Sequence, residues 1–270
     1  MLTKNQKKFH LGKSNVRSQI GSLKEAFIRK APEPISAFVI TFFWLFHPKR
    51  PKWILLPVRP GFFFVVPPKE LLPSYLLRGW PAMDEDYFRV LKPAKGKTAL
   101  VVGASQGYTA DRCLQMVGRE GKVVAIEPEP MNVRYLRMRF RRFSNFIIVP
   151  KAAIDRKGKV VLYRTPDDSA THSTVYSRGG GSIEVEGDTI DHICLELGLR
   201  EIDFMAMDVE GAEAKALGGG KKMLGHTRKV VVGAYHIVNG RPTWPEVERL
   251  LRRKGFKTLV SEDGLVHAWK

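Results

Sequence analysis

From about Asp86 onward, apolar residues fall in short runs that alternate with segments of helical spacing. Thr98–Val102 is a run bounded by Lys97 and Gly103, the form taken by a strand buried on both faces. Residues 109–116 open a helix, Lys122–Ile126 forms a second strand, 131–143 a strongly basic second helix, and Phe146–Val149 a third strand. Residues 158–186 read as a hairpin-like excursion with a glycine-rich turn at 179–181. A helix over 189–197, a fourth strand over 204–207, a fifth over 229–235 and a helix over 244–254 follow; strands at Lys257–Val260 and Leu265–Trp269 finish the chain. Strand and helix in alternation predict an α/β, Rossmann-like domain over residues 86–270, built on a doubly wound, mainly parallel sheet.

Residues 1–85 break this rhythm. Residues 4–30 have the spacing of a basic amphipathic helix, with Ile20, Leu23, Ala26 and Phe27 on one side. Residues 48–81 are rich in proline and aromatics and read as extended, irregular structure. The apolar run 35–46 has 12 residues, against the roughly 20 that a spanning helix needs. The run 53–66 is broken by Pro57, Arg59 and Pro60, so no transmembrane segment is expected. No early apolar region is followed by a small-residue cleavage site, so the start does not have the layout of a secretory leader. We therefore read 1–85 as a helical and irregular N-terminal extension that caps the main domain. The alternative is a platform for a partner.

Charge sharpens that alternative. Of the formal +18, residues 1–80 contribute +11, from 14 Lys and Arg against 3 Asp and Glu. Such a balance favours a polyanion: a nucleic acid, or an anionic membrane surface met peripherally. The two cysteines, Cys113 and Cys194, lack metal-ligand spacing and sit in helical segments, which fits a reduced, cytoplasmic setting.

Three clusters carry candidate chemistry. The first strand ends in Gly103-Ala104-Ser105-Gln106-Gly107, a glycine turn that opens a helix and lets backbone approach a ligand. The second strand ends at Glu127, about 20 residues past that turn, where an acid accepts hydrogen bonds from the ribose of a nucleoside. These two features do not separate NAD from S-adenosylmethionine, although the Gly-x-Gly-x-x-Gly of a pyrophosphate site is absent. The third cluster, Asp208-Val209-Glu210-Gly211-Ala212-Glu213, follows the fourth strand, at the carboxyl end of the sheet where open α/β folds bind ligands. An acid at Asp208 suits the cationic end of a sulfonium cofactor, or orients a nucleophile.

On these residues the chain resembles the FkbM methyltransferases. The resemblance rests on the glycine turn with Tyr108, on Ala125-Ile126-Glu127-Pro128-Glu129-Pro130, Ala152-Ala153-Ile154-Asp155, Thr189-Ile190-Asp191-His192-Ile193, and the segment from Ile202 to Glu213. It runs from about Tyr87 to the C-terminus. It implies a class I S-adenosylmethionine-dependent methyltransferase with a seven-stranded sheet in order 3-2-1-4-5-7-6, acting on hydroxyls of small molecules or glycans. It further implies that Gly103, Ala104, Ser105 and Gly107 line the cofactor's amino-acid end, Glu127 holds the ribose, Asp155 meets the adenine and Asp208 faces the methionine end. The sequence departs from the family where an aspartate usually precedes the first glycine by two residues; that place is Val101.

Methyl transfer to a hydroxyl benefits from a base, for which Glu210 and His236 are the candidates, with His172 weaker. No metal site is expected, because no histidine stands at ligand spacing from the carboxylates. Two other readings remain open. A nucleic-acid methyltransferase would use the basic arm and the arginines at 134, 137, 139, 141 and 142, and a non-catalytic binding protein retaining the fold would account for Val101.

Overall fold

The computed structural model describes the backbone of two strands, β1 (Ile54–Arg59) and β2 (Phe62–Val66), and residues 87–166 and 171–270. Strands β1 and β2 pair with each other in a sheet of their own, within the stretch read as irregular. The expected helix over 4–30 and the apolar run 35–46 lie outside the described residues. Among those described, no helix is long and apolar enough to cross a membrane.

The main sheet is built from β3 (Thr98–Val102), β4 (Lys122–Ile126), β5 (Phe146–Val149), β9 (Ile202–Met207), β10 (Thr227–Gly233), β13 (Lys257–Val260) and β14 (Leu265–Trp269). Their order is β13-β14-β10-β9-β3-β4-β5. Strands β10, β9, β3, β4 and β5 run parallel, and β14 is antiparallel to both β10 and β13. Counted within this sheet the order is the expected 3-2-1-4-5-7-6. It reverses between β3 and β9, so the carboxyl ends of those strands open a crevice.

Strand alternation sorts the core into two layers. Leu100, Val102, Val124, Ile126, Met205 and Met207 face α3 (Ile190–Glu196), α4 (Glu213–Gly218) and α5 (Trp244–Arg253). Ala99, Val101, Val123, Ala125, Phe204 and Ala206 face α1 (Tyr108–Val117) and α2 (Pro130–Phe140). Both faces are covered, which is why the strands read as continuous apolar runs rather than as alternation. Truncating a central residue such as Leu100, fully buried, to alanine costs about 2–5 kcal/mol.

The basic helix ends at Phe140, three residues before the expected 143. It starts on Glu129, whose carboxylate accepts from the N–H groups of Met131 and Asn132, with Pro130 in the first turn. Its arginines do not form one solvated face. Arg139 turns inward to Asp111 at 3.1 Å, with both side chains under 8% exposed.

A small second sheet, in order β6-β8-β7, flanks the crevice; it comprises β6 (Ala152–Ala153), β7 (Gly158–Tyr163) and β8 (Ser182–Asp188). Residues 171–181 return from β7 to β8 over the crevice, and a short hairpin of β11 (Ile237–Val238) and β12 (Arg241–Pro242) rises beyond β10.

Candidate active site

The turn after β3 is set by packing before any ligand is considered. Gly103, at φ +79°, lies where a Cβ would stand 1.8 Å from the carbonyl oxygen of Asp208. At Gly107, with φ +89°, a Cβ would stand under 3 Å from Leu136 and Phe140. Only glycine fits either place, because the turn is pressed against β9 on one side and α2 on the other. Ser105 between them is left-handed as well, at φ 47°. No side chain caps the start of α1.

Glu127 closes the turn. Its Oε2 accepts from Ser105 N–H at 2.7 Å, and its Oε1 from Glu129 N–H at 3.0 Å and Asn132 Nδ2 at 3.3 Å. Burial pushes its carboxyl up to about 7, against the pull of those three donors. Beside it, Ile126, Pro128, Ala152, Ala153 and Leu162 form an apolar shelf. Across the crevice stand Asp208, Val209, Glu210 and Ala212, with His172 and Thr174 on the returning segment. The crevice holds about 520 Å³ of empty space, part of it open to solvent.

Of the residues expected at the cofactor, Gly103, Ser105, Glu127 and Asp208 line this crevice. Ala104 and Gly107 lie behind it, where Ala104 is 4% exposed within the α1 layer. Asp155 is exposed on the turn after β6, outside the lining; β6 pairs with β8, and Ile154 and Asp155 pass beside Gly218 at the end of α4 and Gly219 after it. The third-strand shoulder is apolar instead, formed by Ala152, Ala153 and Leu162. Val101 is 2% exposed in the core layer, opposite Ala125 and Ala206.

The acids after β9 meet residues from distant parts of the chain. Asp208 Oδ2 accepts from Tyr87 OH at 2.9 Å and from Tyr235 OH at 2.5 Å. Its Oδ1 is buried without a hydrogen bond. Burial lifts the Asp208 carboxyl to about 6, although His236 and the two phenols oppose this. Glu210, left-handed at φ 52°, takes Arg178 at 3.2 Å and Tyr176 OH at 3.3 Å on Oε2, while its carbonyl accepts from Ser173 Oγ. Backbone strain of this kind gathers at functional sites. Gly211 follows at φ +95°, in close approach to Tyr176 and Val238.

His236 lies among three carboxylates. Its Nδ1 is 3.0 Å from Glu213, and its Nε2 is 3.4 Å from Glu210 and 3.5 Å from Asp208. Burial opposes its charge, but Glu210, Glu213 and Asp208 outweigh it and hold the imidazole up at about 10. A histidine protonated at neutral pH does not accept a proton, so the part of a neutral base read from the sequence does not suit His236 in this state. His172 accepts from Thr165 N–H on Nδ1 at 3.0 Å and ties the returning segment to the end of β7. Tyr87 and Glu213 were not among the expected site residues. Glu213 carried a signal, as the last acid of the motif, whereas Tyr87 lies 121 residues from its partner.

The donor set fits S-adenosylmethionine. A buried acid at the β4 tip beside an apolar shelf suits an adenosine, and the half-buried acid at the β9 tip suits a cationic group.

The profile of the family described as methyltransferase FkbM domain matches residues 102–258. The 2-O-methyltransferase NoeI of Sinorhizobium fredii (strain NBRC 101917 / NGR234) is 29% identical over 145 residues, 48% of this chain and 59% of that protein. The chain thus spans about three fifths of the length of this curated relative. Among solved structures, Aeropyrum pernix fibrillarin in complex with S-adenosyl-L-methionine has a TM-score of 0.47 at 12% identity, covering 83% of this chain and 95% of its own. A SAM-dependent methyltransferase from Aquifex aeolicus has a TM-score of 0.40 at 16% identity, covering 73% and 92%.

Proposed function

The chain belongs to the FkbM methyltransferase family, and from that premise we propose that it transfers the methyl group of S-adenosylmethionine to a hydroxyl oxygen of a small molecule or glycan. The observation that carries this reading is the pair of acids facing one crevice, Glu127 at the tip of β4 and Asp208 at the tip of β9. The name of the relative NoeI, a 2-O-methyltransferase, supports oxygen as the acceptor atom.

The bound cofactor supplies an electrophilic methyl carbon on a sulfonium; the chain supplies placement. Glu127 would hold the ribose, and Gly103 and Ser105 would line the amino-acid end. Asp208 is fixed by two phenols on one oxygen, so its other oxygen keeps its lone pairs for a cation or an acceptor hydroxyl. Glu210, braced by Arg178, faces the same space. The segment 171–178 borders it through His172 and Thr174, and alignment of the reacting groups lowers the barrier to transfer.

Calorimetric titration with S-adenosylhomocysteine, with NAD as control, tests the cofactor. Micromolar binding of the first and none of the second is expected; the reverse overturns the reading. Transfer of labelled methyl to hydroxylated acceptors, with amines as controls, then tests the acceptor atom.

The charge of the extension supports a further element: residues 1–85 meet a polyanionic partner or an anionic surface.

A further inference from the structure

His236 and the acids after β9 are arranged for more than a mutual ion pair. The His236 side chain is 5% exposed. Its Nε2 points between Asp208 Oδ1 at 3.5 Å and Glu210 Oε2 at 3.4 Å and makes a hydrogen bond to neither. Two ligand atoms bound to one ion at about 2.1 Å stand about 3.0–3.4 Å from each other. The three atoms here all lie within 4.8 Å of one another.

The surroundings orient each of them. Glu213 Oε1 stands 3.0 Å from His236 Nδ1 and is itself held by Gly211 N–H at 2.9 Å. A carboxylate beside Nδ1 is the usual partner of a metal-bound histidine; here Glu213 stands at ion-pair distance, and neither ring nitrogen makes a hydrogen bond. Tyr87 and Tyr235 orient Asp208 by occupying Oδ2, so that the buried Oδ1 faces His236.

Charge points the same way. Asp208, Glu210 and Glu213 bring three negative charges, and Arg178 on Glu210 returns one. A dication on the neutral imidazole matches them all.

Building on the reading that the crevice takes a hydroxyl acceptor, we propose that Asp208, Glu210 and His236 bind a divalent cation that receives the acceptor's hydroxyl oxygen as a further ligand. Two carboxylate oxygens and one imidazole nitrogen suit Mn²⁺, Mg²⁺ or Zn²⁺. The ion would fix the oxygen in place and make its proton easier to lose.

The test is titration of chelator-stripped full-length protein with Mn²⁺, following the free-ion signal by electron paramagnetic resonance, with Mg²⁺ as competitor. One Mn²⁺ per chain is expected, with loss of binding in His236→Phe and retention in His236→Asp. Glu213→Gln is expected to weaken it by about 10–100-fold. Each variant is also titrated with S-adenosylhomocysteine, which reports the fold and the cofactor reading independently of the metal. Absence of Mn²⁺, Mg²⁺ and Zn²⁺ binding up to millimolar concentration, in protein that binds S-adenosylhomocysteine, overturns the proposal. So does Mn²⁺ binding that is undiminished in His236→Phe.

Discussion

The backbone N–H of Ser105 donates to Glu127 Oε2 at 2.7 Å. The acid at the tip of β4 is therefore tied to the glycine turn after β3, and the two form one unit. Ser105 adopts a left-handed conformation to make this bond, a cost of the order of 1 kcal/mol or more that the carboxylate helps offset.

Glu127→Ala should consequently weaken S-adenosylhomocysteine binding by about 1–3 kcal/mol, through loss of the ribose acceptor and loosening of the turn together. Glu127→Gln keeps the shape and should lose less. The check is calorimetric titration of both variants; unchanged affinity in Glu127→Ala would remove Glu127 from the ribose.

The same carboxyl predicts a pH dependence. Its folded-state value of about 7 lies above its ordinary 4.5. The folded state therefore holds the proton more tightly, and the stability it contributes is full below about 4.5 and is lost as pH rises through about 7. The shift corresponds to roughly 3 kcal/mol in the ligand-free protein. Denaturant unfolding between pH 5 and pH 8 should show this decline, and Glu127→Gln should flatten it. Equal slopes in the two proteins would contradict the assignment.

Much of this was legible in the sequence because it is encoded locally. Apolar runs with abrupt ends gave the seven strands of the sheet, and a glycine turn or an acid at a strand end gave Gly103, Glu127 and Asp208. What escaped depends on approach in space. Helix Glu213–Gly218 and the hairpin at 237–242 are too short for a periodic signal. Arg139 has the spacing of a solvated arginine face, and only the position of Asp111 on the neighbouring helix turns it inward. His236 reads as a neutral base until its three carboxylates are seen around it. Asp155 sits in a stretch similar to the family's, but pairing in the small sheet leaves it exposed beyond the shelf.

Val101→Asp restores the family's usual residue on paper and should fail in practice. At 2% exposure, between Ala125 and Ala206, an aspartate there would be buried without a built partner. An unpartnered buried polar group costs about 1–3 kcal/mol and a charge more, so a clear fall in melting temperature is expected. A variant that melts no lower and binds S-adenosylhomocysteine more tightly would show that position 101 reaches the cofactor.

Deletion of residues 1–30, which carry 8 Lys and Arg against one Glu, tests the extension. Affinity for RNA or for vesicles containing anionic lipid should fall, and with it the salt dependence of binding, while affinity for S-adenosylhomocysteine stays unchanged. Joint loss of both would mean that the arm belongs to the fold.

Arg139 and Asp111 link the two helices that back the glycine turn. The guanidinium meets the Asp111 carboxylate at 3.1 Å, reaches the Gln106 carbonyl at 3.3 Å and lies over the rings of Tyr108 and Phe140. Removing one member leaves the other charge buried, so Arg139→Met or Asp111→Ala alone should destabilise the fold by about 3–5 kcal/mol. Removing both removes the unmatched charge, and the double variant should be more stable than the sum of the two losses. A double-mutant cycle by denaturant unfolding measures that coupling. Because Arg139 also holds the Gln106 carbonyl, Arg139→Met should weaken S-adenosylhomocysteine binding more than Asp111→Ala does. Equal effects on binding would confine the pair to stability and leave the turn held by Glu127 alone.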